Sequence, residues 1–375
     1  MFQNEEFFGL LKLQPQVRAQ RLEYINLVGS ENHQTKLLLY IAQFCQNLTF
    51  LQVVLENSSI LIFKEGFSAL ETLDLEFAGF NSWSIISTAQ AKSKRNFVSS
   101  TMKHVTALPK LRILKIQQVD SEIDDDVTWG TMLNLESLEL KKVSETFVKK
   151  ILRCCPEGLT NLLVCSLHDS ADIQFMIDKL PNLKSVGFHH CTFAEDKLSL
   201  FLAKFARQVQ YLYFNSANFK SVHLDQLTDL ASPSLQAFDH TDIDINALEP
   251  NIERFVQQYG AQLKRLYFYY HEQPFDEITS MLDDEFLELV LDNCPLLVEQ
   301  GEWDLSGWNL LTYDGFYNFI DRTGPKLKMF IPPRTDRSLG IYIFNNLLCP
   351  LIVILVKIIL IFLLILPWGK KLLLF

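Results

Sequence analysis

The chain has little glycine, little proline and a small charged fraction. Its 375 residues include only 14 glycines and 13 prolines, which excludes collagen-like and low-complexity architectures. Charged residues make up 21% and aromatic residues 12%, a balance that excludes a wholly disordered chain. Basic residues are fewer than acidic ones, 34 against 44, so the formal net charge is −10. Because an acidic chain repels phosphate backbones, we expect no nucleic-acid partner.

Cysteines are also few, and they are irregularly spaced. The seven are Cys45, Cys154, Cys155, Cys165, Cys191, Cys294 and Cys349. An odd number at low density is typical of reduced thiols and not of a disulfide framework. The N-terminus, MFQNEEFFGLLKLQPQ, lacks the basic stretch and apolar run of a secretory signal. We therefore expect a cytoplasmic or nuclear protein.

Motifs of catalysis and cofactor binding are missing from the sequence. It contains no G-x-S-x-G, no phosphate loop, no G-x-G-x-x-G and no H-E-x-x-H. His189, His190 and Cys191 invite a zinc interpretation with the cysteines near residue 155, but no paired C-x-x-C spacing supports it. We expect a protein that is not an enzyme and that holds neither a metal nor another cofactor.

One six-residue phrase, apolar-x-x-apolar-x-apolar, recurs along the chain. It begins at Leu22, Leu48, Leu70, Leu111, Leu135, Leu159, Leu183, Val209, Leu235 and Leu263, with a weaker copy at Leu327 and a degraded one near Leu297. The spacings of the first ten are 26, 22, 41, 24, 24, 24, 26, 26 and 28 residues. All but one lie in or near the interval of about 20–29 residues that is typical of leucine-rich repeats. The long interval is interpreted as a repeat with an insertion near residues 80–107.

Each phrase predicts a short strand, and the stretches between phrases predict helices. The alternation within the phrase buries one face of a strand. Apolar residues three and four apart follow, as at Phe147, Val148, Ile151 and Leu152. Because only neighbouring units can cover these faces, the units must stack. A doubly wound globular α/β domain is the alternative, but it has no need of the same phrase ten times.

The predicted fold class is therefore α/β: a leucine-rich-repeat solenoid, a curved horseshoe with a parallel concave sheet and convex helices. The domain is expected over residues 22–337, with about ten to twelve repeats. Residues 1–21 are expected to form an N-terminal cap segment, and residues 338–375 a separate hydrophobic tail.

Several phrases open with a short lead-in that contains cysteine or proline. Examples are Cys45-Gln-Asn-Leu48, Cys155-Pro-Glu-Gly-Leu159, Leu180-Pro-Asn-Leu183 and Asn293-Cys294-Pro295-Leu296. This register resembles cysteine-containing leucine-rich repeats and is similar to the repeat region of F-box/leucine-rich-repeat proteins. The resemblance implies a substrate-recognition role in a Skp-cullin-F-box ubiquitin ligase, with a cullin-ligase adaptor as a second partner. It covers the repeats, since residues 1–21 show no F-box opening of the Leu-Pro-x-Glu type.

The C-terminal part of the predicted concave face is rich in tyrosine, histidine and basic residues. The candidate partner-binding residues are His189, His190, Tyr211, Tyr213, Lys264, Arg265, Tyr267, Tyr269 and Tyr270. Tyrosine and arginine dominate protein-binding hot spots because they bury a large area and keep a polar group. The alternative is that these rings only stack on one another or pack under a loop.

The composition changes abruptly after residue 337. Leu347 to Trp368 is a run of 22 residues with one charge, Lys357. About 20 apolar residues span a bilayer, so the run predicts a transmembrane tail anchor to an intracellular membrane. Translation of a non-native segment and a cap on the solenoid are the other interpretations. A membrane-tethered scaffold without a link to ubiquitination is accordingly the alternative function.

Overall fold

The computed structural model describes residues 23–27, 34–55, 63, 66–77, 88–119, 123, 127–168, 170–215, 219–230, 233–241, 251–269, 282–305, 308 and 311–331. The chain divides into two compact units, Met1–Tyr267 and Phe268–Phe375, and the division falls within the tenth strand. Tyr270, the predicted cap over residues 1–21 and the hydrophobic run 347–368 lie outside the described residues.

All ten clear copies of the phrase form β-strands. The strands are β1 Tyr24–Leu27, β2 Phe50–Leu55, β3 Thr72–Phe77, β4 Ile113–Val119, β5 Ser137–Val143, β6 Asn161–Cys165, β7 Ser185–His189, β8 Tyr211–Asn215, β9 Ala237–Thr241 and β10 Arg265–Tyr269. Each strand begins two residues after its phrase does, as Ser137 follows Leu135. The pattern therefore located every one of these strands.

These strands form one sheet in which the spatial order equals the chain order, β1 to β10. From β1 to β9 neighbouring strands pair in parallel, and equivalent positions lie beside each other: Leu138 lies between Leu114 on β4 and Leu162 on β6. A parallel sheet in strict sequence order is the arrangement of a leucine-rich-repeat solenoid and not of a doubly wound domain, whose strand order reverses. The predicted fold class is confirmed.

Helices connect the strands on one side of the sheet. They are α1 Gln34–Phe44, α2 Thr88–Val105, α3 Glu145–Arg153, α4 Ser170–Lys179, α5 Glu195–Phe205, α6 Ser221–Asp229 and α7 Asn251–Tyr259. Helix α3 begins after Ser144, whose side chain accepts a hydrogen bond from the backbone N–H of Phe147. Its predicted apolar face is buried, including Phe147 and Ile151.

The core lies between the strands and these helices. Side chains at the fourth and sixth positions of the phrase are buried in β2 to β9, and Leu138 is 1% exposed. In the later repeats these two positions hold aromatic rings: Phe188 of β7, at the sixth position, packs edge-on against Phe201 of α5, and Phe238 of β9, at the fourth position, contacts Phe255 of α7. The helices thus cover one face of the sheet and leave the other, which we call the open face, to solvent or partners.

A recurring left-handed residue ends several strands. Gln118, Lys142, Ser166 and His190, each at the eighth position of its repeat, have φ between 50° and 65°. The residue that follows turns inward, and Val119, Val143, Leu167 and Cys191 are all buried. Cys191 therefore occupies the interior position that the repeat register predicted for it.

The long interval between Leu70 and Leu111 contains one 18-residue helix, α2. Its flanking strands β3 and β4 pair directly with each other, with Thr72 opposite Ile113. No strand separates them in the sheet, so the extra length lies outside the ladder.

The second unit contains further helix–strand elements. They are α8 Asp284–Asn293, α9 Pro295–Gln300, β11 Glu302–Asp304, α10 Tyr313–Thr323 and β12 Met329–Ile331. Strand β12 begins two residues after Leu327, as the weaker phrase predicts, and pairs in parallel with β11. The degraded copy was misplaced, because Leu297 lies on α9 and the strand follows at Glu302.

One position of the core holds a polar side chain where the repeat pattern calls for an apolar one. His240, at the sixth position of the ninth phrase, is 2% exposed and lies against Phe219 and Phe238. Its Nε2 has no hydrogen-bond partner within the described residues. Burial lowers the pKa of His240 from 6.5 to about 3, so the ring is neutral in the folded chain near pH 7.

Among the helices that the structure describes, none combines the length and the apolarity needed to cross a bilayer. The predicted tail anchor falls on residues that the structure does not describe.

We predict that Leu138→Asp destabilises the first unit by more than about 4 kcal/mol, because it buries an unpaired carboxylate between two neighbouring repeats. Equilibrium urea denaturation measures the change. Asn161→Asp is the control: it adds the same charge at an exposed site on the next strand and should cost less than about 1 kcal/mol. Equal midpoints for the two variants would contradict the register.

We predict that His240→Leu stabilises the protein, since it removes a buried polar atom that lacks a partner. The unfolded chain binds a proton at this histidine near pH 6.5 and the folded chain only near pH 3, so wild-type stability falls as the pH drops below 6.5. The advantage of the variant should grow by about 2 kcal/mol between pH 7 and pH 5. Urea curves at pH 5, 7 and 8 test this, and a constant difference across all three would refute it.

Candidate functional site

Counting from the first residue of its phrase, each repeat presents its third, fifth and seventh residues on the open face, and its second residue immediately precedes the strand. Because paired strands are in register, residues at one position form a row that crosses the sheet. In the fifth-position row, Asn26 donates to Gln52 over 2.8 Å, and Gln52 donates to Asp74 over 3.1 Å. Burial raises the pKa of Asp74, against the opposing field of Lys115. The polar side chains at this end of the row therefore form hydrogen bonds with one another.

Strands β3, β4 and β5 neutralise one another's charges. Arg112, just before β4, makes two hydrogen bonds to Glu136, at 2.9 and 2.8 Å, and lies 3.9 Å from Glu71. Lys115 lies 3.1 Å from Glu139, which also pairs with Lys141. A partner that used these side chains would have to displace existing ion pairs, so this half of the face is poorly suited to binding.

The middle of the open face is apolar and closely packed. In the fifth-position row, Gly187 of β7 lies between Leu163 and Tyr213. A Cβ atom at Gly187 would come within 2.3 Å of Leu163 Cδ1 and 3.0 Å of Tyr213 Cδ1. The two larger side chains therefore close over the glycine, and Tyr213 is half-buried.

The two predicted histidines differ in their placement. His189 ends β7 at the seventh position and is half-buried, in register with Cys165 and Asn215. His190 is the exposed left-handed residue that follows it, with φ of 50°. The ring centroids are 4.2 Å apart and the rings are nearly perpendicular. Both side chains lie at the C-terminal ends of the strands.

The side chains of β8 differ in exposure from one end of the strand to the other. Tyr211, at the third position, is 43% exposed, whereas Asn215, at the seventh, is 8% exposed. The amide of Asn215 donates to Thr241 Oγ1 over 2.5 Å. Asn215 therefore joins two strands, and Tyr211 is the side chain of this strand most open to a partner.

Arg265 and Tyr267 lie on β10, and a buried carboxylate positions them. Arg265 Nε donates to Asp239 Oδ1 over 2.9 Å, and its terminal nitrogen lies 2.8 Å from Oδ2. Burial raises the pKa of Asp239 to about 6, although Arg265 opposes the change. The guanidinium also lies 6.0 Å from the ring centroid of Tyr267. Arg265 still exposes 64% of its side chain.

Sequence reasoning overlooked Asp239. It stands at the fifth position of the ninth phrase, and the cation that pairs with it stands at the third position of the tenth. An acid and a base at such neighbouring positions of consecutive phrases are a signal that could have found it. Lys264 precedes Arg265 and is exposed, while Tyr269 lies in β10 with a side chain outside the described residues.

Within the described part of the chain, no group of three or more His, Cys, Asp or Glu side chains is placed to hold a metal ion. Cys191 Sγ instead lies 3.5 Å from the backbone N of Leu167, which donates to it, and burial raises the pKa of the thiol to about 12. The six described cysteines are free thiols.

The chain was compared with protein-family models, curated proteins and solved structures. The sequence matches no protein-family model and no curated protein. Among solved structures, the chain is similar to one in the crystal structure of the Rad7 and Elc1 complex in yeast, with 15% identity and a TM-score of 0.47. The match covers 78% of this chain and 76% of the other. The fold assignment rests on the strand order and register given above and not on this likeness.

Proposed function

We propose that the chain is a non-catalytic protein-interaction module that binds a partner through the C-terminal half of the open face. The observation that supports this most directly is the contrast between the two halves of the sheet. Residues in and just before β3 to β5 form ion pairs with one another, whereas Tyr211 of β8 is an aromatic residue that is 43% exposed. Arg265 of β10 is paired with Asp239 but still exposes 64% of its side chain. Tyrosine and arginine in this setting bury a large area at low entropic cost.

The contacts behind these side chains support the same proposal. Asp239 holds Arg265, the pair Asn215–Thr241 ties β8 to β9, and Leu163 and Tyr213 cover Gly187. A surface whose side chains are already positioned loses less conformational entropy when it binds a partner.

The finer proposal is that the partner is a substrate for ubiquitination, and that the chain acts as F-box/leucine-rich-repeat subunits do. Its support is the cysteine- and proline-containing lead-in to the repeats. Of the lead-in cysteines, Cys45 and Cys294 are buried, where such a lead-in should place a small core residue, and Cys155 is half-buried. A membrane-tethered scaffold is the second candidate, favoured by the run from Leu347 to Trp368.

We predict that Tyr211→Ala combined with Tyr267→Ala weakens the affinity for the partner at least tenfold, a loss of more than about 1.4 kcal/mol of binding free energy. Quantitative affinity purification compares the proteins retained by the wild type and the variant. Tyr24→Ala is the matched control, because Tyr24 is 59% exposed on the same sheet but lies at its opposite end, stacked on Phe50. The same retained proteins in all three samples would remove the C-terminal half of the face as the binding site.

The two finer candidates predict different companions for the chain. As a ligase subunit it should co-purify with a cullin adaptor, and as a tethered scaffold it should resist carbonate extraction from membranes only when residues 341–375 are present. Both measurements can be made on one cell extract. Failure of both would leave only the interaction module, without either assignment.

A further inference from the structure

A row of second-position residues lies where β7, β8, β9 and β10 begin. Its members are Lys184, Gln210, Gln236 and Lys264. The carbonyls of the first three each accept two backbone N–H groups from the next repeat: Lys184 O accepts from Gln210 at 2.7 Å and from Tyr211 at 3.2 Å, and Gln236 O accepts from Lys264 at 2.7 Å and from Arg265 at 3.1 Å. Adjacent strands are about 4.8 Å apart, so three steps separate the two lysine Cα atoms by about 14 Å.

No residue that the structure describes neutralises the charge of Lys184 or Lys264. Lys184 and Lys264 are exposed, and neither makes an ion pair with a described residue. The equivalent residue of the fourth repeat, Arg112, is held between Glu71 and Glu136. The row therefore ends in a cation on each side, with neutral amides between them, whereas the same row in earlier repeats is internally paired.

One of the strands between the two lysines begins with a partly exposed aromatic residue. Tyr211 is at the third position of β8, one strand from Lys184, and 43% of it is exposed. Arg265 stands beside Lys264, but Asp239 already neutralises it. The order across the strands is thus cation, aromatic ring, amide and cation.

We infer that this row binds an extended acidic segment of a partner protein, with the pattern acidic-x-apolar-x-acidic, laid across the strands. The inference rests on the proposed function and names the chemistry of the partner. An extended chain rises about 3.3 Å per residue and alternates its faces, so residues i and i+4 point the same way about 13 Å apart. That separation matches the two lysines and directs the side chain at i+2 toward Tyr211.

The small number of cations and the net charge of the chain favour this partner over a nucleic acid. A nucleic acid would meet two isolated lysines on a chain of net charge −10, which is unfavourable for binding its phosphates. An acidic protein segment needs only two carboxylates and gains apolar contact between them. Single-stranded oligonucleotide is therefore included as a competing ligand in the test.

Fluorescence anisotropy on the full chain tests the inference with a labelled nine-residue peptide that has Glu at positions three and seven and Phe at five. Two comparison peptides keep the length: one replaces both Glu by Gln, and the other keeps both Glu but at adjacent positions. We expect each comparison peptide to bind about tenfold more weakly, and the first peptide to lose affinity as salt rises.

The matched variants are Lys184→Glu with Lys264→Glu, and as control Lys92→Glu with Lys103→Glu. The control lysines are exposed on α2, at a distant repeat, and change the net charge equally. The first pair should weaken peptide binding at least tenfold and the control pair less than about twofold. Because all four sites are exposed, the melting curves of the variants should match that of the wild type. If Lys184→Glu with Lys264→Glu lowers the melting temperature, the neutral pair Lys184→Gln with Lys264→Gln is used instead and should weaken peptide binding equally.

Equal binding of the adjacent-Glu peptide, tighter binding of a single-stranded oligonucleotide, or no effect of the Lys184 and Lys264 changes would each overturn the inference. If the partner captured through Tyr211 and Tyr267 were retained after both lysines are reversed, the proposed function would stand and the acidic segment would not. If the tyrosine changes had no effect either, both would fail.

Discussion

Mutual cover of apolar side chains by adjacent repeats is the interaction on which the whole sheet depends. No strand of five to seven residues can bury its own face, so Leu138 is shielded only because Leu114 and Leu162 lie beside it and a helix lies above. The backbone adds a matching constraint, since the second-position carbonyl of each of the first nine repeats accepts two N–H groups from the next repeat. Together these requirements align the strands in chain order and leave the open face unconstrained by packing.

Freedom from packing allows the two ends of the open face to differ. Around β4 the face is a set of cross-strand ion pairs centred on Arg112 and Lys115, which satisfy one another. Around β8 it presents Tyr211, and the exposed Lys184 and Lys264 immediately precede β7 and β10. A side chain that is already paired must give up that partner before it binds another, and this is the physical reason for proposing the second region as the binding surface.

Polar groups buried within the sheet are concentrated in the same later repeats. Asp239 and Asn215 are 8% exposed, and each bonds to a neighbouring strand, to Arg265 and to Thr241. His240 interrupts an otherwise aromatic layer in the adjacent core. Such groups reduce the stability gained from burial, and in return those that are bonded specify how adjacent strands align.

The amino-acid sequence alone determined the repeat: where each strand begins, which of its side chains are buried, and that Cys191 is a core residue. These properties follow from local alternation and from spacing, which are visible along one dimension. Only the tertiary structure decided that Asn215 is bonded and buried, that Asp239 holds Arg265, and that Gly187 is covered. Those outcomes depend on which residues from separate repeats become neighbours across the strands, and that distance in space is not encoded in any single phrase.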